Sequence, residues 1–208
     1  METRENYING KYIKSKSQLF FDVLSSRSEA IFDRYPCTTQ GEVDVACSIA
    51  KEQSREWVKA SETTRVQYFQ KSAKIIDVRL KEIAKAISIE TGKGIDESTE
   101  EANEALNIAS QISKEESRIL RKPKGLVAIV SPRGCSTVFS SFLSSAGVII
   151  EGNTVILKPS KEATLSAQIA SEIYHDSGVP PGVFNVIYGN SSTGYWLRNN
   201  SNVDYVLE

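Results

Sequence analysis

The chain has 208 residues, which is enough to bury a sizeable core within one structural unit. Its 25 basic and 26 acidic side chains give a net charge of −1, so bulk charge offers no argument for nucleic acid or an anionic membrane as a partner. The polar start METRENYING and the lack of an apolar run of about 20 residues predict a cytoplasmic protein without a signal peptide or a membrane span.

Cysteine and histidine usage disfavours several kinds of site. Cys37, Cys47 and Cys135 show no C-x-x-C spacing, so we expect neither a disulfide framework nor a metal site. The single histidine, His175, lies near an expected helix end, and no G-x-S-x-G motif accompanies it. We therefore expect His175 to be exposed to solvent, and serine hydrolase chemistry is disfavoured.

A hairpin and a helix are predicted first along the chain. Asn9-Gly10 stands between two apolar pairs, which is typical of a type I′ turn in a β-hairpin. Thr39 and Glu42 then form a capping-box pattern, and apolar residues recur at helical spacing after it. The pattern predicts a helix from about residue 41 to residue 58.

Two further helices are predicted from apolar periodicity. Apolar residues from Val66 to Ile87 alternate spacings of three and four, which predicts one continuous helix that ends at Thr91-Gly92. Glutamates open a third helix over residues 96–120, where the helix dipole favours acidic side chains. Its buried side is expected to comprise Ala102, Ala105, Ala109, Ile112 and Ile119.

After Lys122-Pro123, short β-rich runs alternate with helical patterns. The runs cover residues 126–130, 154–157, 184–188 and 203–207. Strand, helix, strand, helix, strand is the order that gives a parallel doubly wound sheet with right-handed crossovers. The predicted fold class is α/β, with the hairpin and helices in residues 1–122 and a partial dinucleotide-binding βαβ region in residues 123–208, together forming one structural unit.

Polar turns follow three of the predicted strands, at residues 131–134, 158–161 and 189–194. Because ligands of open α/β sheets bind outside the carboxyl ends of the strands, we expect these turns to meet at one rim. The last turn has the glycine spacing of a phosphate loop, but Tyr195 replaces the obligatory lysine. We expect a tight strand-to-helix turn there, and nucleotide contact by another route stays open.

Two side chains in these turns could carry chemistry. Lys158, followed by a proline at a strand end, can bond ribose hydroxyls or phosphate, or it can be an ordinary solvated lysine. Cys135 lies beside Arg133 and ahead of a helix, and both features lower the pKa of a thiol. No candidate base lies in the same motif, so we expect Cys135 to be a structural or incidental residue rather than a nucleophile.

The order and spacing of three stretches carry a family resemblance. They are GLVAIVSP over residues 125–132, GNTVILKPS over residues 152–160 and SGVPPGVFNV over residues 177–186. Together with the YING, SREW and ETGK stretches upstream, they resemble the N-terminal part of NAD(P)-dependent aldehyde dehydrogenases. Residues 40–93 look closest to succinylglutamate semialdehyde dehydrogenases. The resemblance implies N-terminal helices plus a partial Rossmann-type parallel sheet, which is the first half of a coenzyme domain.

The resemblance also implies an oxidoreductase that acts on aldehydes, in particular semialdehydes, with NAD or NADP as acceptor. In that family a cysteine thiolate attacks the aldehyde and a glutamate activates water, and both lie beyond the last strand of this chain. We therefore expect a truncated form without catalytic residues, active only if a second polypeptide supplies the thiol. The alternative is a catalytically inactive remnant, or an interaction module that associates with another dehydrogenase subunit.

A set of coenzyme contacts follows from the same resemblance. They are Lys158 and Ser160 at the adenosine ribose, Ser131 and Pro132 in the turn that lines the cleft, and Gly189 and Thr193 in the adenine-side turn. Gly134 replaces an asparagine whose amide steadies the oxyanion, and Cys135 then belongs to the wall of the coenzyme turn. Lys161 replaces a frequent glutamate that binds ribose hydroxyls, so we expect a preference for the 2′-phosphate of NADP.

The last predicted strand ends the sheet. Residues 203–207 leave an apolar edge and an uncovered face, which is a template for association. We expect self-association or a bound partner protein.

Overall fold

The computed structural model describes residues 3–26, 28, 30–114, 122–132 and 138–208. The chain opens with a hairpin of β1 (Asn6–Ile8) and β2 (Lys11–Ile13), and the linking residues Asn9 and Gly10 have φ values of 54° and 73°. Both values are positive, as a type I′ turn requires, so the predicted hairpin is confirmed.

The expectations for Arg133, Gly134, Cys135, Ile119 and the side chain of Ile112 lie outside the described residues.

The hairpin belongs to the main sheet, which the sequence did not indicate. β1 pairs antiparallel with a later strand, β7 (Phe184–Val186), with Tyr7 opposite Val186. The Oδ1 atom of Asn6 also accepts the backbone N–H of Tyr188 at 3.0 Å. The N-terminus is therefore bonded directly to the segment that precedes Gly189.

A second antiparallel ribbon follows the hairpin, and the sequence analysis did not predict it. It consists of β3 (Phe20–Leu24) and β4 (Ile31–Pro36), with Asp22 opposite Arg34. Val23 is buried between exposed neighbours on β3. The stretch FFDVL does not alternate apolar and polar residues, because Phe20 and Leu24 are apolar and exposed, so the strand carried no clear signal in the sequence.

Helices fill the rest of the N-terminal part. They are α1 (Gln40–Trp57), α2 (Glu62–Val78), α3 (Leu80–Thr91) and α4 (Ile95–Lys114). Thr39 and Glu42 form the capping box predicted for α1, and Gly92 ends α3 with φ of 77°, as predicted. Ala102, Ala105 and Ala109 are buried on α4, also as predicted.

The single helix predicted over residues 66–87 is wrong, because the chain breaks at Arg79. This residue has φ of −98° and ψ of 10°, and its N–H is shared between the carbonyl oxygens of Ile75 and Ile76. Its guanidinium bonds Glu82 on α3 and pairs with Glu172 on a later helix at 2.5 Å. The contacts of one side chain therefore hold α2 and α3 as separate helices.

Strands and helices alternate in the C-terminal part. The elements are β5 (Leu126–Val130), α5 (Val138–Ile150), β6 (Thr154–Lys158), α6 (Thr164–Asp176), β7 (Phe184–Val186), α7 (Ser191–Arg198) and β8 (Tyr205–Leu207), with a 3-10 turn at Lys161–Ala163. β5 to β8 pair in parallel, so the predicted parallel sheet is confirmed. The order across the sheet is β2-β1-β7-β6-β5-β8, in which the parallel strands, numbered from β5, run 3-2-1-4. This is the order of the leading strands of a Rossmann-type sheet.

Helices cover both faces of the central strands. On β5, Leu126, Ala128 and Val130 join one apolar cluster with side chains of α1 and α7. Val127 and Ile129, which point the other way, join a second cluster with side chains of α2 to α6. Burial on both faces explains why the sequence of β5 is apolar throughout instead of alternating.

β8 ends the sheet, as the sequence predicted, and its Tyr205 is 41% exposed. The expected uncovered face is smaller than predicted, because Val206 and Leu207 are partly buried against the two apolar clusters. Asp204 attaches the strand through its Oδ2 atom, which accepts the N–H of Leu126 at 2.7 Å. The free part of β8 is therefore its outer edge.

His175 is exposed near the end of α6, as expected. None of the described helices is long and apolar enough to cross a membrane. Within the described ranges, no three His, Cys, Asp or Glu side chains are grouped so that they could hold a metal ion.

Candidate functional site

The described residues of the three polar turns, with Ser131 and Pro132 from the first, meet at one rim, as predicted, and line a pocket of about 350 Å³ at the carboxyl ends of β5, β6 and β7. We call it the rim pocket. The N–H of Ser131 donates to the carbonyl oxygen of Lys158 at 3.0 Å, which fixes the first turn against the second. The lining residues are Val130, Ser131, Pro132, Lys158, Ser160, Lys161, Glu162, Gly189, Asn190, Ser191, Gly194 and Arg198.

The third turn is a tight connection between β7 and α7. The Oδ1 atom of Asn190 accepts the N–H groups of Ser192 at 2.9 Å and of Thr193 at 3.3 Å, which caps the helix. A Cβ atom on Gly189 would lie 2.1 Å from Oγ1 of Thr193, so only glycine fits at that position. The predicted tight strand-to-helix turn is confirmed.

Lys158 lies in the wall of the rim pocket and is only 8% exposed. Its Nζ donates to the carbonyl oxygen of Pro159 at 2.9 Å. Burial, assisted by the positive charge of Arg198, lowers the pKa of Lys158 to about 8. The alternative of an ordinary solvated lysine is therefore wrong. A buried ammonium beside a second cation creates an environment that favours an anionic ligand.

Six of the seven predicted coenzyme contacts line the rim pocket, and Thr193 does not. Thr193 is buried behind it, where its Oγ1 donates to the carbonyl oxygen of Thr38 at 3.0 Å. Its close packing against Gly189 holds the third turn in shape. Lys161 lies at the pocket with its Nζ 5.1 Å from the ring centroid of Phe21 on β3.

Arg198 and Glu162 also line the rim pocket, and the sequence analysis did not identify them. Arg198 follows Gly194 by four residues, so the two share one face of α7, but this spacing alone does not show that the shared face lies at the pocket. The Nε of Arg198 forms an ion pair with Glu208. Lys158, Lys161 and Arg198 make the pocket rich in positive charge.

The two cysteines in the described part of the chain are not arranged as nucleophiles. Burial raises the pKa of Cys37, although the N–H of Asn190 and the charges of Lys161 and Lys158 act against it. Burial raises the pKa of Cys47 to about 12. Both thiols therefore stay protonated at neutral pH.

A larger cavity of about 660 Å³ lies between the N-terminus, the β3-β4 ribbon and α6. Three of its charged side chains are already paired, Arg4 with Asp33 at 2.5 Å and Glu172 with Arg79 at 2.5 Å. None of its lining residues belongs to the strand-end turns. The rim pocket is therefore the candidate site.

Comparison with known proteins identifies the family. The family model described as "Aldehyde dehydrogenase family" matches residues 12–207. The chain belongs to the aldehyde dehydrogenase family. It is 27% identical over 201 residues to malonate-semialdehyde dehydrogenase of Bacillus subtilis (strain 168), a match that covers 89% of this chain and 41% of that protein. The chain thus spans about two fifths of the length of the curated relatives that it matches.

Solved structures of aldehyde dehydrogenases share the fold of this family member. The NAD-dependent aldehyde dehydrogenase from Sinorhizobium meliloti matches with a TM-score of 0.87 and 25% identity, covering 99% of this chain and 45% of that one. The NADP-dependent glyceraldehyde-3-phosphate dehydrogenase from Bacillus halodurans C-125, complexed with NADP, matches with a TM-score of 0.86 and 21% identity, covering 99% and 48%. The predicted α/β fold class and family are confirmed. The finer resemblance to succinylglutamate semialdehyde dehydrogenases stays a prediction.

Proposed function

We propose that this chain is the coenzyme-binding part of an NAD(P)-dependent aldehyde dehydrogenase that acts on semialdehydes. The observation that carries the proposal is the convergence of three strand-end turns on a pocket that contains the buried cation of Lys158. Ligands of open α/β sheets bind at such strand ends. The semialdehyde substrate class is supported by the relative from Bacillus subtilis, a malonate-semialdehyde dehydrogenase.

The residues present fit the adenosine end of a nicotinamide coenzyme. A Cβ atom on Gly194 would lie 3.0 Å from Nη1 of Arg198, so glycine keeps this side of the pocket open. In the proposal, Lys158 and Ser160 bind the ribose, and Gly189 lies beside the adenine. Thr193 supports the turn from behind. When the coenzyme is bound, its nicotinamide supplies the hydride acceptor.

Lys161 sets the coenzyme preference in this proposal, toward NADP. An ammonium attracts the 2′-phosphate and cannot accept hydrogen bonds from ribose hydroxyls. Lys161 lines the pocket next to Ser160, on the side where the ribose is placed. The Bacillus halodurans relative, complexed with NADP, supports the idea that this fold can hold the phosphorylated coenzyme.

Calorimetric titration with NADP and with NAD tests both parts of the proposal. We expect the parent protein to bind NADP more tightly, and Lys161→Glu to shift the preference toward NAD by roughly tenfold or more, since a charged hydrogen bond is lost. Lys74→Glu, an exposed position on α2, makes the same charge change away from the pocket and should leave the preference unaltered. Failure to bind either coenzyme would refute the proposal, and an unchanged preference in Lys161→Glu would refute only the role of Lys161.

The proposal assigns no nucleophile to this chain, in keeping with the protonated state of Cys37 and Cys47. Aldehyde oxidation is then expected only when a thiol is supplied from outside these residues. Turnover of malonate semialdehyde by the purified chain alone would contradict this.

An interaction module is the second candidate function. The observation that favours it is the position of β8 at the end of the sheet, with Tyr205 exposed. An edge strand presents unpaired backbone N–H and C=O groups to another chain. The partner in this proposal is a second copy of the chain or another dehydrogenase subunit.

A further inference from the structure

Arg198 occupies the side of the rim pocket that lies next to β8. Its Nε pairs with Glu208, directly after β8, whereas Lys161 lies near Phe21 of the β3-β4 ribbon. The Nη1 of Arg198 and the Cδ of Lys158 lie 3.0 Å and 3.4 Å from the same point, the Cβ position of Gly194. The pocket thus has one cationic end at Lys161 and a second at Arg198, and the charges of both act on Lys158.

The second cationic end is only partly neutralised. The positive charge of Arg198 disfavours the charged form of Lys158, so the two side chains repel each other. The ion pair of Arg198 with Glu208 is open to water, with the two side chains 39% and 58% exposed, so solvent screens it. An anion beside the Arg198 guanidinium would be attracted by both positive charges, because the two side chains meet at the Gly194 side of the pocket.

The strand order shows which part of a nucleotide reaches this end. β5 and β8 are neighbours, and the order of the parallel strands reverses between them. A dinucleotide crosses a sheet of this type at that reversal, so its linking phosphates pass there. Arg198 ends α7, the helix that leads to β8.

We infer that Arg198 is a phosphate-binding residue. When a nucleotide occupies the rim pocket, the Arg198 guanidinium gives up its ion pair with Glu208 and binds the 5′-phosphates. The planar guanidinium offers two parallel N–H donors to phosphate oxygens, a geometry that an ammonium lacks. Lys161, at the opposite end, is left for the 2′-phosphate. This inference rests on the proposed function, because it requires an adenosine nucleotide in the pocket.

Calorimetry with adenosine, ADP and inorganic phosphate tests the inference. Arg198→Gln is expected to weaken ADP binding by at least about tenfold, roughly 1.4 kcal/mol, and to leave adenosine binding unchanged. Arg198→Lys keeps the positive charge and should weaken ADP binding less than Arg198→Gln does. Glu208→Gln releases the guanidinium and should tighten ADP binding by roughly threefold, because a competing carboxylate is removed.

Arg34→Gln is the matched control, since the Arg34 side chain is also 39% exposed and also pairs with one carboxylate, Asp22. It should leave ADP affinity unchanged, and thermal melting should show that all variants fold. Equal ADP affinity in Arg198→Gln and the parent overturns the inference but not the proposed function. The inference is also overturned if Arg198→Gln loses as much affinity for adenosine as for ADP. It is overturned as well if the parent binds inorganic phosphate as tightly as ADP. A parent that binds neither adenosine, ADP nor NADP overturns both.

Discussion

Under the proposed function, the burial of Lys158 should make the affinity for the nucleotide depend on pH. Its pKa is lowered to about 8, so the ammonium loses its proton in a range where an exposed lysine stays charged. We expect the affinity for ADP or NADP to fall as pH rises through about 8, by up to about tenfold per pH unit. Calorimetry at a series of pH values measures this directly.

Lys158→Arg is the control for that titration. Arginine keeps its charge over the whole range, so the variant should show a flatter dependence of affinity on pH. Lys158→Met should bind weakly at every pH. A parent whose affinity is constant from about pH 6 to about pH 10 would contradict the role given to this side chain.

The position at the end of a strand was sufficient to predict that Lys158 and Lys161 lie at the pocket. It was not sufficient to predict which residues of α7 lie there. Lys158 follows directly from β6, and backbone pairing fixes where such a residue lies. Thr193 and Arg198 lie on a helix whose rotation is set by the Asn190 cap and by packing against Gly189. Sequence spacing does not determine that rotation, so the inward direction of Arg198 was missed.

Among the elements, the break between α2 and α3 shows why periodicity failed. The apolar stripe continues across the break, with Ile76 and Ile83 both buried, and no glycine or proline marks it. The break coincides with the pairing of Arg79 with Glu172 on α6, a contact between segments far apart in the sequence. Local pattern carries no information about such a contact.

Glu90 links α3 to α6, and its pKa is raised. At the end of α3, its Oε1 accepts the N–H groups of Leu165 at 2.7 Å and of Ser166 at 3.2 Å, at the start of α6. Burial raises the pKa of Glu90 to about 7, so the fold favours the neutral carboxyl relative to the unfolded chain. Its contribution to stability is therefore complete below the unfolded pKa of about 4.3 and is lost as pH rises through about 7.

Glu90→Gln removes this titration and keeps an oxygen acceptor for α6. We expect the parent to lose stability relative to the variant between about pH 5 and about pH 8, by roughly 1 to 3 kcal/mol. Urea midpoints at both pH values measure the change. Glu82→Gln is the control, because Arg79 lowers the pKa of Glu82, so this group titrates below pH 5 and the difference between parent and variant should be the same at both pH values. A parent-to-Glu90→Gln difference that is the same at both pH values would refute the prediction.

For the whole molecule, the sequence predicted the alternation of strands and helices but not the place of the hairpin. Alternation is a local pattern, and parallel pairing with crossovers follows from it. The bond between Asn6 and Tyr188 joins residues 182 positions apart, and nothing local to either residue indicates it. The width of the sheet could therefore be known only from the structure.

The free edge of β8 should make the protein associate. We expect the mass from light scattering to rise with concentration, and Tyr205→Lys to weaken association by roughly tenfold, because a charged edge residue opposes strand pairing. Tyr195→Lys, at a position 63% exposed on α7, makes the same substitution away from the edge and should not alter association. A monomer at all concentrations would contradict self-association through the β8 edge.

The antiparallel pairing of β1 with β7 has a consequence for trimmed forms of the protein. Asn6 accepts the N–H of Tyr188, the residue just before the third turn, although Asn6 itself is not a lining residue of the pocket. Under the proposed function, we therefore expect a protease that removes the leading hairpin to weaken nucleotide binding without touching a lining residue of the pocket. Binding assays should accordingly use protein whose amino terminus is intact.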